Sequence, residues 1–209
     1  MADHPEATYS RMNKQIQTLK HNLSKIVQFS DQAWLAAAQE FQLINYTANE
    51  HIFKAGETVD HVYFILKGLA RYYYLTQEGK EFNKSFSTTG QILGSISSSA
   101  NSIPCTYSTQ CLQDMECLSL TYKTLKILSN RFPEWNQFHL YSLEQLAIKK
   151  EIREADFLLL TAEERYTKFL EDFAHIENII PNYHIASYIG ITEVALSRIR
   201  KSMGLINPG

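Results

Sequence analysis

Three basic residues crowd into the last four positions of GITEVALSRIRK, Gly190 to Lys201, in a chain of 209 residues whose formal net charge is −2. Arg198, Arg200 and Lys201 have the chemistry to hold a polyanion. A guanidinium forks onto a phosphate or a guanine edge, and an ammonium sits on phosphate as a point charge. The same three residues could instead finish off a helix, because cations near a helix C-terminus interact favourably with its dipole. Charge alone does not decide between the two. With the whole-molecule charge near zero, any nucleic-acid binding must come from a local patch, since the molecule as a whole provides no attractive field.

The neighbouring residues decide. Two crossed helices joined by a tight turn need a small residue where they cross, a glycine at the turn and apolar residues that hold the second helix on the first. Ala186 is the small residue and Gly190 follows four later, with Ile185, Ile189 and Ile191 around them and Leu196 and Ile199 six and nine residues after the glycine. Pro181 is placed to start the first helix and Thr192 to cap the second. With the apolar positions inward, Glu193, Ser197, Arg198 and Lys201 face outward on one side, where a recognition helix carries its readers. Arg198 is the best placed to donate two hydrogen bonds to guanine O6 and N7. Arg200 and Lys201 are expected on phosphates, which position a helix without reading sequence.

Three regimes along the chain must position that hairpin. Residues from about 11 to 48 read as helical, with Ile16, Leu19, Leu23 and Ile26 at helical intervals and Trp34, Leu35 and Phe41 after the capping candidates Ser30 and Asp31. From about 49 to 121 the period changes to two, as in HVYFILKG, and QEGK at 77–80 has hairpin turn chemistry. Several short strands punctuated by Gly56, Gly68, Gly90 and Gly94 predict a small barrel or jelly roll. The helical period then returns to the end. Phe138, Tyr141, Gln145, Ile148, Ile152, Ala155 and Leu159 alternate at spacings of three and four, which is a coiled-coil seam and predicts a dimer. Thr161 and Glu164 form a capping box at the start of a further helix.

Other chemistries find little support. Cys105, Cys111 and Cys117 lie six apart, which is neither metal-ligand spacing nor an even disulfide framework, so buried small hydrophobes are expected. His51, His61, His139, His175 and His184 show no ligand spacing, and His61 followed by Tyr63 does not make the paired histidines of a metal-holding cupin barrel. No nucleophile has a base nearby in sequence, and nothing calls for a cofactor. No run approaches the roughly 18 apolar residues of a membrane span, and the polar start carries no signal segment, so the protein is expected in the cytoplasm.

The order of barrel, long dimer-type helix and C-terminal helix-turn-helix resembles the cyclic-AMP receptor and fumarate-nitrate reduction regulator (Crp/Fnr) family of bacterial transcription factors. FKAGETVDHVYFILKGLARYYY is similar to that family's first barrel glycines, and IASYIGITEVALSRIRK to its DNA reader. The resemblance implies an α+β fold: a β-roll of the jelly-roll, cyclic-nucleotide-binding-like type with flanking helices over 1–132, a dimerisation helix over 133–160 presenting Tyr141, Ile148, Ile152 and Leu159, and a helix-turn-helix domain over 161–209. It implies a homodimeric transcription regulator rather than an enzyme, reading near-palindromic double-stranded DNA with the helix 192–202, through Thr192, Glu193, Ser197, Arg198, Arg200 and Lys201. RNA polymerase and an unidentified small effector join DNA and a second copy as expected partners, with no membrane. Val194 stands where the family commonly has a base-reading acid, and after Met203 only GLINPG remains, which leaves little or no wing.

The family's effector pocket is degenerate here. Gly94 is kept, Ser95 replaces a ribose-binding glutamate, Cys105 replaces the phosphate-binding arginine and Thr106 supplies the hydroxyl, with Tyr107 beside it. A buried anionic phosphate requires a permanently charged planar donor, and cysteine offers none. Cyclic AMP is therefore not expected to bind unless Arg71, Lys80 or Lys84 turns inward. No cysteine precedes Cys105, so the family's N-terminal iron-sulfur sensor is unsupported. The alternative reading is a β-roll that binds a small ligand or a protein, without sequence-specific DNA binding.

Overall fold

The computed structural model of the chain describes residues 5–205. Helix α1 spans Pro5–Leu23 and α2 spans Asp31–Ala38, where Ser30 Oγ caps the helix by accepting from Ala33 N at 3.3 Å. Strands β1 (Gln42–Tyr46), β2 (His51–Phe53), β3 (His61–Lys67), β4 (Leu69–Leu75), β5 (Glu81–Thr88) and β6 (Ile92–Leu93) follow. After α3 (Ile96–Asn101) come β7 (Ser108–Cys111), β8 (Met115–Thr121), α4 (Tyr122–Arg131) and α5 (Pro133–Leu159). The chain closes with α6 (Ala162–Phe173), α7 (Asn182–Ile189) and α8 (Glu193–Ser202). The strands form two four-stranded sheets, ordered β1-β8-β3-β6 and β2-β7-β4-β5. The expectation of little or no wing rests on residues 204–209, of which 206–209 fall outside the described residues.

Two departures from the sequence reading have physical causes. Residues 42–46 belong to a strand and not to the helical lead-in, because β1 pairs antiparallel along β8 with Leu43 opposite Leu118 and Ile44 opposite Cys117. A five-residue window has too little periodicity of its own to resist the partner that the tertiary structure offers. Phe138, placed at the head of the coiled-coil seam by its spacing, is 1% exposed and packs 6.1 Å from Phe64 of β3, centroid to centroid. The first turns of α5 belong to the core.

Two compact units result, one made of the residues up to Arg71 with Phe86–Glu144, the other of Tyr72–Ser85 with the residues from Gln145 on. Strands β4 and β5 and helix α5 each pass from one unit into the other. In the first unit, α1, α2, α4 and the start of α5 close a core with Phe64, Leu118 and Leu120 of the β1-containing sheet. Trp34 and Trp135 stack there at 6.0 Å, and Trp135 Nε1 donates to Ala33 O at 2.9 Å, so the indole is buried with its polar end satisfied. Gly68 turns β3 into β4 at φ +111°, and a Cβ there would lie 2.7 Å from Asp114 O, so no other residue fits. Cys105, Cys111 and Cys117 are all buried free thiols. In the second unit, Phe169 and Phe173 of α6 each pack 5.7 Å from the Tyr188 ring of α7, over buried Ile185, Ile189 and Leu196. Among the described residues no helix is long and apolar enough to cross a membrane.

Candidate nucleic-acid interface

The turn between α7 and α8 is set by Gly190, at φ +79° and ψ 34°, whose amide bonds back to the carbonyls that end α7. Glycine is required there twice. The left-handed backbone disfavours a side chain, and a Cβ would meet Phe157 Cε1 of α5 at 2.9 Å. Two residues on, Thr192 Oγ1 accepts from Ala195 N at 3.2 Å and caps α8, which contributes about 1 kcal/mol. Leu196 anchors the inner side of α8 at 1% exposure.

On the outer side, Thr192, Glu193, Val194, Ser197, Arg198 and Lys201 are all exposed. Positions 194, 197, 198 and 201 recur at three- and four-residue steps and so share one helix face. Glu193, Ser197, Arg198 and Lys201 make no side-chain hydrogen bond among the described residues, which leaves their donors and acceptors open to a ligand. Val194 adds an apolar contact of the kind that fits a thymine methyl.

Arg200 departs from its expected place on phosphate. Its Nε donates to Tyr166 Oη at 2.7 Å, Nη1 to Asn182 Oδ1 at 2.6 Å and Nη2 to Glu177 Oε1 at 2.6 Å, while Tyr166 Oη donates to the same carboxylate at 3.1 Å. At position 200 the side chain emerges one turn beyond Leu196, on the inner side, and meets an acid on the 3-10 turn Glu177–Ile179. Three of the five N–H groups of the guanidinium are engaged, by α6, α7 and that turn, so it staples the domain.

In the β-roll, four of the five pocket residues come together and close on one another. Cys105 Sγ lies 3.3 Å from both Ser95 Oγ and Tyr107 O, the two acceptors within reach of its one S–H, and Tyr107 Oη donates to Gly94 O at 3.1 Å. Ser95 is 1% exposed, and Thr106 alone faces water. Helix α3 ties the same segment: Ser98 Oγ accepts from Val59 N at 2.8 Å and donates to Ile103 O at 2.6 Å. Burial pushes the Cys111 and Cys117 thiols up to about 12, as expected of a dry interior. Of the three candidate cations, Arg71 is the buried one, and its Nε and Nη2 donate to Gln110 Oε1 at 3.0 and 2.7 Å. Lys80 lies over the Phe82 ring, and Lys84 lies over Tyr72 and Tyr74.

Residues 43–131 match the family model of the cyclic nucleotide-binding domain. Among solved structures, FixK2 from Bradyrhizobium japonicum is 17% identical with a TM-score of 0.69, over 81% of this chain and 88% of that one. The c-di-GMP-responsive global regulator CLP of Xanthomonas campestris is 12% identical with a TM-score of 0.68, over 86% and 96%. A transcriptional regulator of the Crp/Fnr family from Eubacterium rectale is 14% identical with a TM-score of 0.68, over 87% and 88%. The fold is that of the Crp/Fnr regulators. No curated protein sequence matches the chain significantly. At the pocket positions of this chain, neutral side chains bond to one another and to nearby carbonyls.

Some residues that shape the interface carry no sequence signal. The Phe157 ring lies between the guanidinium groups of Arg153 and Arg165, 4.8 and 5.1 Å from its centroid, and against the Gly190 turn. An arginine on a helix reads as surface unless the carbonyls it will meet are already known.

Proposed function

We propose that the chain is a homodimeric, sequence-specific DNA-binding transcription regulator of the Crp/Fnr type, working in the bacterial cytoplasm. The observation that carries this is the division of α8 into an inner side locked by Leu196 and Arg200 and an outer face on which Ser197, Arg198 and Lys201 are exposed and uncommitted. Arg198 reads a guanine, Ser197 and Glu193 contact neighbouring bases, and Lys201 with the capping Thr192 lies on phosphates. Arg200 holds the helix in place for them. The chain divides by role into a roll over 1–132, a dimerisation helix over 133–160 and a reader over 161–209.

The dimer reading rests on α5. Tyr141, Ile148, Ile152 and Leu159 are 39%, 48%, 48% and 79% exposed, an apolar stripe that a second copy would cover. Two-fold symmetry then sets two readers about 34 Å apart, on successive major grooves. Ile152→Asp puts an unpaired charge in that seam, at a cost of several kcal/mol, and light scattering should report monomers. An undisturbed dimer would place the interface elsewhere.

The roll does not take cyclic AMP in this reading, because the residues at the family pocket hold each other and present no charged donor. CLP, a neighbour in fold, is described as responding to c-di-GMP, so regulators of this shape are not restricted to one effector. RNA polymerase is the expected protein partner on DNA. Selection of bound sites from random duplex DNA tests the whole proposal. Near-palindromic products whose affinity falls steeply with salt support it; no enriched site and salt-insensitive partners would favour the protein-interaction reading.

A further inference from the structure

The hairpin formed by β4 and β5 has no part in the reading above, yet its second strand bonds to α7, the first helix of the helix-turn-helix. Asn83 N donates to Ser187 Oγ at 2.9 Å, and Ser187 Oγ donates to Glu81 O at 3.2 Å. The Asn83 side chain reaches the same helix: Nδ2 donates to His184 O at 3.1 Å and lies 3.0 Å from His184 Nδ1. Both residues are 4% exposed. A carbonyl only accepts, so the amide nitrogen of Asn83 must face this way, and its second hydrogen then requires an acceptor at Nδ1.

Two arginines complete the hold on α7. Arg153 Nη2, from α5, donates to Tyr188 O at 2.8 Å and lies 3.5 Å from Asn83 O, with its guanidinium 3.9 Å above the Tyr188 ring. Arg165 of α6 donates from Nε to Ile189 O at 2.9 Å and from Nη1 to Leu160 O at 2.6 Å. The last four carbonyls of α7, which no helix can satisfy internally, are thus all taken: Ala186 and Ser187 by the turn amides, Tyr188 and Ile189 by arginines. A helix of eight residues has little stability of its own, so its pose is set by these outside contacts.

We propose that Asn83 is a positioning residue for the reader, through which the β4–β5 hairpin grips α7 and holds the helix-turn-helix in the pose that meets DNA. The proposal rests on the assignment of α8 as the DNA-contacting helix. Positioning, and not occlusion, is the role because the bonds from Glu81 and Asn83 to α7 leave the outer face of α8 open: Glu193, Ser197, Arg198 and Lys201 remain exposed with them in place. A reader that samples several poses binds only through the fraction in the competent one. In a dimer that fraction enters twice.

The test compares wild type with Asn83→Ala and Ser187→Ala in the full chain, with circular dichroism confirming that both variants fold. If loosening lowers the competent fraction to about a third per protomer, specific affinity for a selected site falls about tenfold. Non-specific affinity at low salt comes from phosphate neutralisation and should change by less than about twofold. Without DNA, amide hydrogen exchange over 182–189 should quicken in both variants. Specific binding at wild-type strength, or tighter binding, in both variants overturns the positioning role. If the wild type enriches no site, the DNA assignment fails by itself and exchange alone judges the grip: faster exchange over 182–189 upholds the hold on α7, and unchanged exchange overturns it.

Discussion

Inside the roll at Ser95 and Cys105, hydroxyl, thiol and phenol groups bond to one another and to nearby carbonyls, whereas on the outer face of α8 the polar groups point at water with nothing engaged. Both regions carry polar residues, neutral in the roll and cationic at Arg198 and Lys201 on α8. They differ also in whether the donors are already in use. A site meant to receive an anion keeps charged donors free and aimed outward, as Arg198 and Lys201 are; a closed core satisfies neutral donors locally, as Cys105 does. The same criterion divides α8 along its length, because Arg200, two residues from Arg198, is engaged on three sides.

That division can be broken first at Arg200. Arg200→Ala leaves the partly buried Glu177 carboxylate without its cation, with only the Tyr166 hydroxyl still donating to it, and should destabilise the reader domain by about 3 kcal/mol, seen as a lowered midpoint in denaturant melts followed by circular dichroism. A variant that melts like wild type but binds all DNA more weakly would return Arg200 to the phosphate-contacting set. Arg198→Ala should do the reverse: unchanged stability, with specific binding weakened by roughly 1–3 kcal/mol and relaxed preference at one base pair. Binding the selected site with wild-type affinity would contradict the assigned face. Lys201→Ala is expected to be milder, weakening every sequence alike and lowering the slope of log affinity against log salt by about one unit. At the closed end, titration calorimetry with cyclic AMP and cyclic GMP should give no heat of binding. Micromolar affinity for either would mean that the Ser95 and Cys105 contacts open to admit a phosphate, with Arg71, the buried one of the three candidate cations, the first to test by substitution.

The caps were the most legible features. Ser30, Thr161 and Thr192 announce helix starts through chemistry that acts over three residues, and each caps as its spacing requires. The Gly190 turn and the outward set on α8 are legible for the same reason, since a helical period of known phase fixes which residues share a face. Long-range pairing left no such mark. Gln42–Tyr46 becomes a strand because β8 lies beside it, and the serine-rich run 96–101 forms α3 within a region of strand-like spacing. Arg198 and Arg200 look alike in sequence, and what separates them is that Arg200 meets Tyr166, Asn182 and Glu177, which no local pattern reveals. Asn83 is the extreme case: its partners lie 101 and 104 residues away on α7, beyond any local pattern.

The seating of Gly190 against Phe157 bears on how such a protein could change its target. Everything that fixes the turn, from the glycine to the arginines that end α7, lies on the inward side of the two helices. The outward positions 194, 197, 198 and 201 carry no duty in that framework. In the proposed DNA-binding reading, operator preference is therefore separable from folding: substitutions at those four positions would change which bases are read at little expense in stability, whereas exchanging the whole helical pair for one from another regulator would succeed only if the incoming turn left room for the Phe157 ring.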